Sequence, residues 1–257
     1  MNGLAAQIDL LWPAFAAGLI VLATHVPLGV QVLARGIIFI DLAVAQVAGL
    51  GAIAAHLADR GDSPWIVQGA AVGAALGAAL LLQWSEKRWP QLQEALIGLL
   101  FVLAASGMVL LLARDAHGGE HLRDLLAGQM LWVSQRQLLI AAAASAGLLL
   151  AWRMLADRGG RLMFYMLFSI AVTVSVQLVG VYLVFASLIV PALATHGMRR
   201  RRVAAGLAVG AAGYLAGLLA AALADLPAGP ASVWMLAAAG AFFAIIRSSV
   251  APSRPIC

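Results

Sequence analysis

Apolar runs of membrane-spanning length follow one another along almost the whole of this 257-residue chain, at roughly 10–33, 37–57, 65–84, 95–113, 137–152, 162–180, 182–197, 203–224 and 230–246. A helix needs about 20 apolar residues to cross a bilayer. The pattern therefore predicts an all-α, polytopic bundle of eight or nine transmembrane segments. Charged residues make up only 11% of the chain, where a soluble domain carries about 25%. Too little polar sequence remains for a soluble unit, so residues 1–257 are expected to form a single transmembrane domain. The lone cysteine, Cys257, has no partner for a disulfide or a thiolate metal site.

The formal charge of +5 would suit a nucleic-acid partner, but its distribution has another reading. With the N-terminus outside, Arg35, Lys87, Arg88, Arg153, Arg158, Arg161, Arg199, Arg200, Arg201, Arg202, Arg247 and Arg254 all fall on the cytoplasmic side. That is twelve of the sixteen basic residues, leaving Arg60, Arg114, Arg123 and Arg136 outside. The positive-inside rule favours this orientation, with the C-terminus cytoplasmic. It also requires the apolar run 162–197, flanked by arginines at both ends, to cross twice or to dip in and return. This run is read as a broken helical hairpin. Gly180 and Pro191 punctuate it, and broken helices persist in membranes mainly where protein or a water path satisfies the freed backbone groups. The chain thus reads as a transport protein. Gly69, Gly73 and Gly77 form a small-residue stripe that predicts close helix packing.

Polar residues inside the spans are the candidates for a pathway. In the second segment Asp41 and Gln46 interrupt an otherwise apolar helix. An intramembrane carboxylate is costly and usually faces a protein interior, a partner or a water path. Alternatively, Asp41 caps its helix or pairs with Arg35, and Gln46 bridges to another helix. Five helical residues place the two about 140° apart, so they border a path from different sides. His25, followed by Pro27 and Gly29, suggests a distorted first helix beside the same path, or a hydrogen-bonded packing residue. In the outer loop, His117, Glu120 and His121 spell the H-x-x-E-H order of some metalloproteases. Gly118 and Gly119 disfavour the helix such a site needs by about 1 kcal/mol each, which leaves a solvated loop or weak metal capture. No nucleophile–base set and no phosphate-binding glycine loop is present, so the chain is not expected to be an enzyme or to hydrolyse ATP.

Three stretches carry a resemblance. QLVGVYLVFASLIVPALAT (177–195), DLPAGPASVWMLAAAGAFF (225–243) and PLGVQVLARGIIFIDLAVAQVAGLG (27–51) resemble, in order and spacing, segments of the membrane permeases of ABC-type zinc and manganese importers. The resemblance implies a bacterial inner-membrane subunit that works as two copies of itself. A cytoplasmic ABC ATPase subunit would bind the ATP, and an extracytoplasmic metal-binding protein would deliver the ion. This chain would hold no cofactor and contact membrane lipid but no nucleic acid. Asp41 matches an aspartate of the family's second helix associated with metal passage, and Gln46 stands where the family has a histidine. Gly180 and Pro191 would shape a gate. The segment that meets the ATPase is here short and basic, WRMLADRGGRLMF (152–164), so coupling would fall to Arg153, Arg158 and Arg161, assisted by Arg199 and Arg200. The rival readings are a permease for a metal chelate, such as a siderophore or cobalamin-like molecule, and a membrane binding or sensory module that transports nothing.

Overall fold

A computed structural model describes residues 2–58, 63–113, 119, 122, 126–128, 130–155 and 160–250. Among these, nine α-helices and no strand are found: α1 (Asn2–Arg35), α2 (Ile40–Ala58), α3 (Pro64–Arg88), α4 (Gln93–Leu112), α5 (Gln135–Leu155), α6 (Gly160–Val179), α7 (Val181–Ala194), α8 (Arg202–Ala224) and α9 (Ala228–Val250). All but α7 are long and apolar enough to cross a membrane. Local signals set the ends. Arg35 closes α1, and Gly36 follows it at φ +70°, the left-handed step that commonly ends a helix. Pro64 opens α3, where its missing N–H costs nothing. At the start of α5, Gln137 N–H donates to Ser134 Oγ at 3.2 Å while Ser134 N–H donates to Gln137 Oε1 at 2.9 Å, a reciprocal capping box.

Two helix groups meet at α6. α2 packs on α3 and α4, while α1 lies among α5, α7 and α8, and α9 covers α7 and α8. α6 touches α1, α2, α3 and α5 and is the most buried span, whereas α4 and α5 show most of their surface. α8 approaches two neighbours closely through its glycines. A Cβ at Gly206 or Gly210 would strike Val26 or Leu22 of α1, and one at Gly213 or Gly217 would strike Leu236 or Ser232 of α9. Such small-residue faces let helices meet where lipid supplies no hydrophobic drive. The stripe on α3 behaves differently: Gly69, Gly73 and Gly77 have nothing within 4 Å of a built Cβ. The face of α3 that carries Ala71, Ala75, Ala78 and Ala79 turns inward instead, so the glycines look out from the bundle.

The run 162–197 breaks at one residue. Gly180 sits between α6 and α7 at φ 81°, ψ 164°, a region essentially reserved for glycine. Its built Cβ would lie 2.4 Å from the Gly128 nitrogen, and that of Gly128, itself at φ +72°, 2.4 Å from the Val179 carbonyl group. The break is thus a backbone-to-backbone clamp against residues 127–128. Pro191 breaks nothing: it lies inside α7, and its carbonyl accepts from both the N–H and the hydroxyl of Thr195. With 14 residues, α7 extends about 21 Å against a hydrocarbon core of about 30 Å. The pair is therefore one full crossing and a short return helix.

Basic side chains collect at one end of the bundle. Arg161 pairs with Glu86 at 3.7 Å, Arg35 lies over the Phe164 ring at 4.2 Å, and Arg247 donates to the His196 carbonyl. At the Gly180 end, Arg136 is the only arginine or lysine among the described residues. Gly180→Ala should cost about 1–3 kcal/mol from backbone strain alone, seen as a lower thermal midpoint of the detergent-solubilised protein. Gly73→Ala, which meets nothing, should be neutral or raise the midpoint, since alanine is favoured over glycine in a helix by about 0.5–1 kcal/mol.

Candidate functional site

The tight turn from α1 to α2 fixes where the second-helix side chains stand. Three helices hold this turn. Ile38 N–H donates to Glu94 Oε1 of α4 at 2.8 Å, Arg35 is stacked on Phe164 of α6, and Phe39 stacks on Phe185 of α7 with ring centroids 6.5 Å apart. The Glu94 carboxylate thus serves α2 as a cap supplied by another helix, favourable also for the positive end of the helix dipole. Asp41 follows in the first turn of α2, 1% exposed, and its Oδ1 has no hydrogen-bond partner. It does not pair with Arg35, whose guanidinium is spent on Phe164.

Gln46 stands apart from Asp41, as five helical steps require. It lines a cavity of about 720 Å³ between α2, α4, α7 and α9, together with Leu42, Phe101, Met108, Tyr182, Phe185 and Trp234. Leu122, Leu126 and Pro230 bound the cavity toward the Gly180 end. The wall is almost wholly apolar, and a lone amide is a poor ligand for a transition metal. Asp41 does not line this cavity.

His25 belongs to another neighbourhood. It is fully buried on α1, its Nδ1 3.0 Å from the Val21 carbonyl and 3.0 Å from Thr24 Oγ1, and its Nε2 has no partner. α1 runs through Pro27 as one helix, and Gly29 presses against the Leu188 carbonyl of α7. α1 and α2 both touch α6 and α7 but pack little on each other, and no hydrogen bond joins His25 to Asp41 or Gln46. Among the described residues no three His, Cys, Asp or Glu gather to hold a metal ion. His117, Glu120 and His121 lie outside the described residues, as does Arg158.

At the basic end Arg153, Arg161, Arg199 and Arg200 are exposed. Arg202 turns inward, donating to the Ala192 carbonyl at 3.1 Å, a cation closing the C-terminus of α7. A buried amide cluster ties the same end together. Gln93 Nε2 donates to the Leu82 carbonyl at 3.0 Å and to Tyr165 Oη at 3.3 Å, and its Oε1 accepts from Ser85 Oγ at 2.9 Å. Nothing in the sequence marked Gln93 or Glu94 as more than a span boundary. The one signal was an acidic residue in the first turn of a helix.

A bundle of this order, with one clamped break and an isolated buried carboxylate, can be compared with known families. The model of the ABC 3 transport family matches residues 7–158 and 155–248. The chain belongs to the ABC 3 transport family. It is a multi-pass membrane permease of the ABC type. The fold of this permease is similar to that of PsaBC from Streptococcus pneumoniae, solved in complex with Fab, at TM-score 0.74 and 20% identity over 97% of this chain and 96% of that one. It is also similar to an inward-facing structure described as a metal-chelate type ABC transporter, at TM-score 0.65 and 19% identity over 93% and 86% of the two chains. No curated protein sequence matches the chain.

The Glu94 cap makes a local prediction for this permease. Hydrogen bonds to charged groups contribute about 1.5–3 kcal/mol, so Glu94→Ala should speed hydrogen exchange at residues 36–39 by about tenfold or more. Glu94→Gln, which keeps an acceptor, should change it far less. Equal exchange in all three proteins would refute the cap.

Proposed function

We propose that this permease imports a divalent transition-metal ion, zinc or manganese, across the bacterial inner membrane. The observation that carries this reading is Asp41, a carboxylate sealed in a membrane-spanning helix of an ABC 3 family permease with one oxygen unpartnered. Such a group is expensive unless its cost is offset by a function, and a passing cation is the partner it lacks. The ion is substrate here, so a standing cluster of ligands is not required. A path needs sites weak enough to release what they bind.

On this reading two copies of the chain enclose the path, a cytoplasmic ATPase drives it, and an extracytoplasmic binding protein delivers the metal. The arginine-rich end faces the cytoplasm, in keeping with the positive-inside rule. There the exposed Arg153, Arg161, Arg199 and Arg200, with Arg158, meet the ATPase. Gln46 borders the outer half of the path and Gly180 fixes the turn at its mouth, while Pro191 shapes the return helix. His117, Glu120 and His121 serve as weak outer capture. His25, buried on α1, bears on the path only through the packing of α1 against α7.

A chelated metal is the second reading, favoured by one specific feature. The cavity beside Gln46 is about 720 Å³ and nearly all apolar, within the usual range for small-molecule pockets and poorly suited to a bare ion. ATP-dependent uptake of radioactive zinc and manganese into proteoliposomes, with the co-purifying ATPase and binding protein, separates the two. Free-ion import predicts uptake that a chelator abolishes and that Asp41→Asn lowers by at least about tenfold, equivalent to about 1.4 kcal/mol. Uptake of metal only in chelated form, unchanged by Asp41→Asn, would overturn it.

A further inference from the structure

A second cleft, far from Asp41, has the chemistry of a lipid site. α3 and α5 both pack on α6 but not closely on one another, which leaves a groove whose floor is α6. It encloses about 530 Å³ between Gln68 of α3, Arg136 and Ile140 of α5, and Val174, Gln177 and Leu178 of α6. The lining is divided. Ile140, Ala141, Val174 and Leu178 form an apolar part, and Arg136, Gln68 and Gln177 a polar one. No hydrogen bond or ion pair engages Arg136, Gln68 or Gln177 among the described residues.

The position of the groove narrows the occupant. Gln177 lies three residues before the Gly180 break, so the polar part sits at the end of the bundle away from the basic cluster. Trp65 and Trp132, 70% and 77% exposed at that end, mark the interfacial depth where indole rings settle. α3 and α5 do not line the cavity of Gln46, so the groove opens on a different flank of the bundle, one that the chain's other described helices leave uncovered. A soluble anion would make no use of the apolar floor. A lipid without phosphate would leave the Arg136 guanidinium, which has no partner among the described residues, without the charge-assisted, bidentate hydrogen bonds it can make, and the ammonium of a zwitterionic headgroup would be repelled by the same charge.

We propose that the groove between α3 and α5 binds one anionic phospholipid of the outer leaflet, its phosphate on Arg136 with the Gln68 and Gln177 amides and its acyl chain along Ile140, Val174 and Leu178. The site is independent of the transported substrate.

The test uses the full chain in nanodiscs and phosphatidylglycerol or phosphatidylethanolamine carrying a diazirine in an otherwise identical acyl chain, with labelled residues mapped by peptide mass spectrometry. The expected result is labelling within 137–141 and 174–178 that favours phosphatidylglycerol by about fivefold, the worth of one basic side chain near an anionic headgroup. Arg136→Gln should remove the preference, and Arg136→Lys, which keeps the charge, should retain more than half of it. Equal labelling by the two lipids, or a preference that survives Arg136→Gln, would overturn the site. If Arg136→Lys behaves like Arg136→Gln, the assignment of charge is wrong. Protection of the same peptides by a co-purifying membrane protein, with no lipid labelling, would give the groove to a partner helix instead.

Discussion

The contact between the backbones at Gly180 and Gly128 governs how this chain can be arranged. Hydrocarbon leaves a bare amide no partner, so a membrane helix can stop and turn back only where other protein receives its end. Residues 127–128 provide that place, and two glycines with positive φ let the main chains meet without a Cβ between them. Because α6 ends there, α7 begins at the same depth and runs back beside α1 and α9. Gly229 meets the Ala127 carbonyl in the same manner, so the short segment at 126–128 is held between the α6–α7 turn and the start of α9. The apolar cavity beside Gln46 is bounded by this segment through Leu126.

Polar groups in the spans are then sorted by what surrounds them. Ser187 and Tyr214 hydroxyls lie 2.8 Å apart, and the Gln93 amide has three partners. These are satisfied joints between helices, each of modest net worth but expensive to leave open. Asp41 and His25, like the neutral Ser169 and Ser232, keep an unpartnered buried atom. For His25 the other ring nitrogen is anchored to its own helix, which fixes the ring without giving it a task. Asp41 has no such anchor, which is why the proposed path is built on it rather than on the histidine.

Much of this was legible from residue order. The apolar runs give each helix to within a few residues at most ends, because length and hydropathy are local properties of the chain. Gly180 was identifiable as a break, since glycine between two apolar runs marks a backbone that other residues cannot follow. Pro191 was not separable from it by sequence: a proline can sit inside a helix whose bonding resumes beyond it, as it does here where the Thr195 N–H and hydroxyl both donate to the Pro191 carbonyl. The glycines of α3 misled for a related reason. A small-residue stripe records that close approach is possible, not which face turns inward, and the alanines of α3 won that choice. Asp41 and Gln46 were placed on different sides by helical geometry alone. Glu94 and the Arg35–Phe164 stack were hidden because both join residues more than fifty positions apart.

Those long-range ties bear on how motion at one end can reach the path. The turn before α2 is fastened to α4 by Glu94, to α6 by Arg35 and to α7 by Phe39, and Phe185, the partner of Phe39, also lines the cavity of Gln46. α7 is closed at its far end by Arg202 and, through His196, by Arg247, beside the exposed arginines proposed to meet the ATPase. A displacement there therefore has two packed routes to Asp41, one along α7 through the Phe185–Phe39 stack and one across α6 through Phe164. Packed interfaces of this kind shift between discrete arrangements rather than deform continuously. With Asp41 in the first turn of α2, only two residues beyond Phe39, a shift of that turn would carry the carboxylate with it on the proposed path, without any need for α2 to bend.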